Sequence, residues 1–193
     1  MEKTAIETFC PASVQEWRRW LKKNHRSKPA VWLMLYKKDS DKPVIRWSDA
    51  VDEALCFGWV DSKRKPLDEE KFLQFFSLRK PRGTWSKINK EKVKQLIGEG
   101  RMTEAGMASV ELAKKNGSWS ILDAVEKLTI PKDLAAAFKK EPGSKSYFKR
   151  LSKSVRKMML QWLVLARRPE TRQKRIDEIA RLAAKHQKPK QFQ

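Results

Sequence analysis

From Val14 to Leu21 the apolar residues Val14, Trp17, Trp20 and Leu21 recur at the three- and four-residue spacing of one helix face. Ser13-Val14-Gln15-Glu16 just ahead of them reads as a capping box, in which the serine caps an amide three residues on and the glutamate reaches back. The pattern predicts a helix running to about His25. The period then changes. Ala30–Lys38, AVWLMLYKK, is a short apolar run that predicts a buried strand. Asp39–Pro43, DSDKP, predicts a turn or loop. Trp47 and Ser48 open a short helix with Val51, Ala54 and Leu55 inward and Gly58 as its stop. The segment from Trp59 to Arg79 predicts two strands joined around Pro66–Glu69. In the second, Phe72, Gln74 and Phe76 alternate with Leu73, Phe75 and Ser77, so both faces carry apolar residues and the strand is expected to be central or covered on both sides.

From Ile88 onward the pattern is helical. Asn89 reads as an N-cap, with Ile88 and Val93 at the spacing of a hydrophobic staple, and the helix is expected to end near Gly98 or Gly100. Thr103 caps the next, which ends at Asn116-Gly117, and a short helix follows Ser118 or Ser120. Pro131 and Pro142 suit the first turns of two more. Ser152 caps an amphipathic helix with Val155, Met158, Met159, Trp162, Leu163 and Ala166 on one face. Pro169 opens a last helix with Ile176, Ile179, Ala180 and Ala183 inward, and KPKQFQ reads as a frayed tail. The expected fold is α+β: an N-terminal helix with a small antiparallel sheet over residues 1–85, a mainly helical part over 86–187 packed against it, and a basic tail over 188–193. Trp17, Trp20, Trp32, Met159 and Trp162 are expected in the core.

Composition bears on the partners. The chain has 193 residues, 40% of them hydrophobic, and eight tryptophans, enough for a sizeable core. No apolar run approaches the ~20 residues a membrane span needs; the longest is Val31–Tyr36. The opening residues carry acids and no continuous apolar segment, so no signal peptide is expected. Cys10 and Cys56 make no disulfide framework, and a cytoplasmic location with free thiols is expected. Net charge is +21, and residues 142–193 alone hold 15 basic against 3 acidic side chains. A field of that sign favours anionic partners: phosphate, a nucleotide or nucleic acid. The alternative is a basic protein with no such partner.

Catalytic chemistry is poorly represented. Cys56 sits in an apolar run near a helix C-terminus, away in sequence from the helix N-terminus or cation that would favour a thiolate, and reads as structural. His25 and His186 read as solvated rather than as general bases. The Cys and His residues are too few and scattered for a tetrahedral zinc site, and there is no glycine-rich phosphate loop of known spacing. Asp49, Asp52 and Glu53 sit at a helix start, where the dipole accounts for acids; Asp61 follows the Gly58-Trp59 turn and could be placed in a pocket, though a cap or salt bridge is the commoner role. No catalytic residue, metal ligand or cofactor is therefore assigned. Two clusters point to anion binding. Between Arg79 and Lys94 there are seven basic residues and one acid. Here Arg79, Lys80 and Arg82 leave a strand, Trp85 offers a flat face, and Asn89 starts a helix flanked by Lys87 and Lys90. Guanidinium groups, an aromatic plane and a helix N-terminus are three ways to hold a phosphate or a base. The second cluster is a basic face of Arg156, Lys157, Arg167, Arg168, Arg172 and Arg175, which could track a phosphate backbone without reading sequence. For both, solvated side chains are the plainer explanation.

Glu53–Ser62, EALCFGWVDS, followed by Phe76–Val93, FSLRKPRGTWSKINKEKV, resembles the bacterial YdeI or OmpD-associated family, also labelled bacteriocin-protection. The resemblance runs from WRRWLKKNH at Trp17 through VWLMLYKK to RRPETRQKRIDEI at Arg167. It implies an intracellular bacterial protein linked to envelope stress or to tolerance of antimicrobial peptides, and it carries over no catalytic residue or cofactor. The reading is of a protein that binds an anionic partner, with nucleic acid as one candidate. The alternatives are an enzyme or binder of a small phosphorylated ligand at Arg79–Asn89, and a protein-interaction adaptor. Direct capture of cationic peptides is disfavoured, because a protein of charge +21 repels them.

Overall fold

The structure is a computed structural model of the chain, and it describes residues 6–37 and 45–193. The loop expected over Asp39–Pro43 lies outside the described residues. The chain divides into two compact units, residues 1–119 and 120–193. Each has its own hydrophobic core.

The first unit holds a four-stranded sheet in the order β1 (Thr8–Phe9), β2 (Ala30–Tyr36), β4 (Lys71–Leu78), β3 (Trp59–Pro66). Strand β4 pairs antiparallel with both β2 and β3, the central place its two apolar faces predicted. The two-residue β1 pairs parallel with β2, so the sheet is mixed rather than wholly antiparallel. Val31, Leu33 and Leu35 on β2 and Phe72 and Phe76 on β4 point to the buried face. Trp32, expected in the core, alternates to the opposite face, where it is half-buried and meets Phe75 edge-on at 4.8 Å. Alternation fixes that it opposes Val31. It does not say which face the helices cover.

Helix α1 (Val14–Asn24) starts as its capping box requires: Ser13 Oγ accepts from the Glu16 N–H at 3.2 Å. Glu16 reaches back to the Ala12 N–H at 2.6 Å, one residue ahead of the cap. Trp17 and Trp20 stack at 5.2 Å, and the Trp17 indole donates to the Ala50 carbonyl of α2 (Trp47–Cys56) at 3.0 Å. Gly58 ends α2 with φ +74°, in the left-handed region that glycine tolerates.

The change from strands to helices near residue 85 is not where the units divide. Helices α3 (Lys87–Gly98) and α4 (Glu104–Lys115) bury Val93, Leu96, Val110 and Ala113 in the core of the sheet-bearing unit. Helix α4 packs close to the end of α2: a Cβ built on Gly106 would sit on the carbonyl oxygen of Cys56.

The second unit contains α5 (Asp123–Glu126), α6 (Lys132–Lys140), α7 (Ser144–Arg150), α8 (Lys153–Val164) and α9 (Pro169–Ala184). Leu134, Phe138, Phe148, Met159, Leu163, Ile176 and Ile179 are central to its core. Ser152 caps α8 and Pro169 opens α9, as their sequences indicate. The α8 face is rotated from expectation: Leu160 is buried, while Met158 is 44% exposed and Trp162 is half-buried. The tail is ordered rather than frayed, because Lys190–Phe192 forms a 3-10 turn that sets Phe192 edge-on to Trp162 at 5.6 Å.

Candidate anion-binding site

The best-built polar feature lies where the chain leaves β4. The Arg79 N–H donates to the Gly58 carbonyl at 3.0 Å, which ties the strand exit to the end of α2. Lys80 to Gly83 then form a turn closed by the Gly83 N–H on the Lys80 carbonyl at 2.8 Å. Across that turn Arg79 Nη1 donates to the Thr84 carbonyl at 2.9 Å. Trp85 enters the core, and Arg79 Cζ lies 3.7 Å from the centre of its ring.

Arg79 is 7% exposed and Trp85 is 1% exposed. Arg79 Nε and Nη2 and Trp85 Nε1 are shielded from solvent and have no hydrogen-bond partner among the described residues. Two other buried indoles of this unit differ: Trp17 donates to the Ala50 carbonyl, and Trp59 to the His25 carbonyl at 3.3 Å. Burial pulls the Arg79 guanidinium down to about 10, opposed by the charge of Asp61, so it remains a cation at neutral pH.

Arg79 and Trp85 line a concavity of about 440 Å³. Phe57, Leu78, Ala105, Ala108 and Leu112 give it an apolar wall, and His25, Arg26, Lys80 and Ser109 bring polar groups. His25 Nδ1 lies 2.9 Å from the Leu21 carbonyl, which can only accept, so this nitrogen carries the proton. Arg26 pairs loosely with Glu104 at 3.6 Å and stays exposed.

Of the residues singled out from sequence, the concavity gathers Arg79, Lys80 and Trp85. Arg82 and Lys87 are exposed, and Lys87 pairs with Glu91 at 3.6 Å. Lys90 reaches over Trp119, 5.7 Å from its ring centre. Asn89 is not the helix cap. Ser86 is, and its Oγ accepts the Asn89 N–H at 3.1 Å. The staple fails with it, since Ile88 is 65% exposed. Trp85 is swallowed by the core instead of offering an open face, which brings Ser86 to the helix entrance. His25, Arg26, Phe57, Gly58, Ala105, Ser109 and Leu112 were missed as site residues, because they come from three segments distant in sequence from Arg79.

The second basic face is partly spent on its own unit. Lys157 pairs with Glu126 at 2.5 Å, and Arg172 grips Asp133 through Nε at 2.7 Å and Nη2 at 3.1 Å. Arg175 donates to the Trp162 carbonyl at 2.5 Å and lies over its ring. Arg167 and Arg168 are exposed, and Arg156 is half-buried with Nε lacking a partner among the described residues.

The acids are also engaged. Glu53 is 3% exposed, between Arg18 at 2.5 Å and Arg101 at 2.6 Å, so two guanidinium groups rather than a helix dipole account for it. Asp52 pairs with Lys92. Asp61 accepts from the Trp47 indole at 3.3 Å and from the Gln74 amide at 3.4 Å, and burial pushes its carboxyl up. Cys56 is buried, and burial, then the charge of Glu53, pushes its thiol up. His186 stacks on Tyr147 at 5.4 Å. Among the described residues no three His, Cys, Asp or Glu side chains are grouped to hold a metal ion, and no helix is long and apolar enough to cross a membrane.

Comparison with known families divides the chain much as the contacts do. Residues 9–109 match the model of a domain of unknown function, DUF8412. Residues 127–186 match a family described as Bacteriocin-protection, YdeI or OmpD-Associated. The family that the sequence resembles is therefore present, but its match is confined to the second unit; the Glu53–Ser62 and Phe76–Val93 motifs fall within the first match. No curated protein and no solved structure matches the chain. Since residues 9–109 span more than half of its length, the chain belongs to the DUF8412 family, and it carries a bacteriocin-protection, YdeI/OmpD-associated segment at residues 127–186.

Proposed function

We propose that the protein is a cytoplasmic binder of a small anionic molecule at Arg79, serving bacteriocin tolerance. The family match at residues 127–186 supplies the setting only coarsely. One observation carries the binding reading: a buried guanidinium keeps two nitrogens without an acceptor among the described residues, beside a concavity of about 440 Å³. Buried charges in folded proteins are ordinarily paired, and a buried donor left unpaired calls for an explanation. An anion that completes the pairing is the simplest one.

A pocket of this kind favours a small ligand over a nucleic-acid strand. The partnerless donors are buried, not laid along a surface. On the second unit, Lys157, Arg172 and Arg175 are already engaged. Binding is favoured over catalysis because the groups that could act as nucleophile or base are tied: Cys56 is buried with its thiol pushed up, and His25 Nδ1 is held by Leu21.

The test is a thermal-shift and calorimetric survey with sulfate, inorganic phosphate, acetate, benzoate and a nucleoside monophosphate. At least one should bind and raise the melting temperature of the wild type, and lose its effect on Arg79→Met. If none binds, or if binding survives in Arg79→Met, the reading fails.

A further inference from the structure

We infer that the anion is a monocarboxylate with an apolar body. This rests on the anion-binding reading above and narrows it to one ligand class.

The first ground is which nitrogens are left over. Nη1 is committed to the Thr84 carbonyl. The two without partners, Nε and Nη2, form the side edge of the guanidinium plane. Their N–H bonds run parallel, at the separation that matches the two oxygens of one carboxylate. Stacking on Trp85 and the Thr84 bond fix the plane before a ligand arrives. Trp85 Nε1 is likewise buried without a partner among the described residues.

The second ground is charge. Arg79 is the buried cation of the concavity, while Lys80 is exposed and the Arg26 side chain is 74% exposed. Arg79 already feels the charge of Asp61, with no hydrogen bond between them among the described residues. One carboxylate neutralises one guanidinium. A phosphate monoester brings about 1.5–2 negative charges at neutral pH. The excess would be buried without a partner and repelled by Asp61.

The third ground is the wall. Phe57, Leu78, Ala105, Ala108 and Leu112 present carbon to whatever is attached to the anionic head. Leu78 and Leu112 are 53% and 44% exposed, so a bound apolar chain or ring would cover surface that is now wet. Because Nε and Nη2 are shielded, binding includes a local displacement of the exposed Lys80–Arg82 stretch, with the Thr84 bond kept.

Calorimetry with benzoate, octanoate, benzamide, phenyl phosphate and inorganic phosphate on the full chain tests this. Benzoate or octanoate should bind at least about tenfold more tightly than benzamide, which keeps the shape and loses the charge. Neither phosphate compound should match them. Leu112→Asn, a change at a half-exposed position, should weaken the carboxylate by about tenfold and leave the melting temperature nearly unchanged. If phenyl phosphate or inorganic phosphate binds as well as the carboxylates, the ligand class is wrong while anion binding stands. If carboxylates bind Arg79→Met as well as wild type, or no probe binds, both fall.

Discussion

Arg79 Cζ lies 3.7 Å from the centre of the Trp85 ring, and both side chains are almost wholly buried. A cation over an indole gains about 0.5–2 kcal/mol, depending on how dry it is. Each buried donor without an acceptor costs about 1–3 kcal/mol. With Arg79 Nε, Arg79 Nη2 and Trp85 Nε1 all lacking partners among the described residues, the cost exceeds the gain. The arrangement costs the free protein stability, and an anion accepting from these donors would offset that cost.

Removing the charge should therefore stabilise the free protein. Arg79→Met keeps an unbranched side chain of similar length over Trp85 and abolishes the unpaired cation. Urea unfolding should show a gain of about 1 kcal/mol or more. A loss of several kcal/mol would mean that Arg79 is a structural residue.

Gly106 sets how closely α4 approaches the end of α2. Its added Cβ would collide with the backbone carbonyl of Cys56, which cannot step aside as a side chain could. Gly106→Ala should cost about 1–3 kcal/mol despite alanine's better helix propensity. An unchanged melting temperature would show that the two helices separate freely.

The thiols should report burial. Cys10 is exposed and Cys56 is buried, with its thiol pushed up chiefly by burial and then by Glu53. A bulky thiol reagent should label Cys10 quickly in the native protein and Cys56 only on unfolding. Rapid double labelling at neutral pH would contradict this placement.

Hydrogen bonds from Arg172 hold the Asp133 carboxyl below the usual aspartate range. A depressed folded value means the unfolded chain binds the proton more readily. The contribution is thus present above the ordinary aspartate value near about 4 and is lost as pH falls below it. Both side chains are partly exposed, so Asp133→Asn should cost no more than about 1 kcal/mol at neutral pH. The difference between variant and wild type should shrink on acidification below about pH 4. A difference that grows with acid would reverse the sign and refute the pairing.

Local signals made much of the fold legible. Ser13 with Glu16, Ser152 and Pro169 mark helix starts that the structure keeps, and the two-faced apolar pattern of Phe72–Ser77 marks a central strand. Of the concavity's lining, only Arg79, Lys80 and Trp85 stood out in the sequence. Ser86 and Asn89 are both good caps, and the choice between them was made by tertiary burial of Trp85. The concavity is assembled from the end of α1, the α2–β3 turn, the β4 exit and α4, a meeting of distant segments that no local period encodes. Ion pairs such as Arg172–Asp133, 39 residues apart, likewise remove cations from a face that looks continuous in sequence.

The most direct measurement is the Arg79 Nε–H signal in a nitrogen–proton spectrum, assigned by comparison with Arg79→Met and followed through a benzoate titration. Carboxylate binding at Arg79 should give a downfield shift that saturates with the calorimetric binding curve and slower exchange with water, as a charged hydrogen bond forms at that nitrogen. A signal unmoved at saturating benzoate would contradict it.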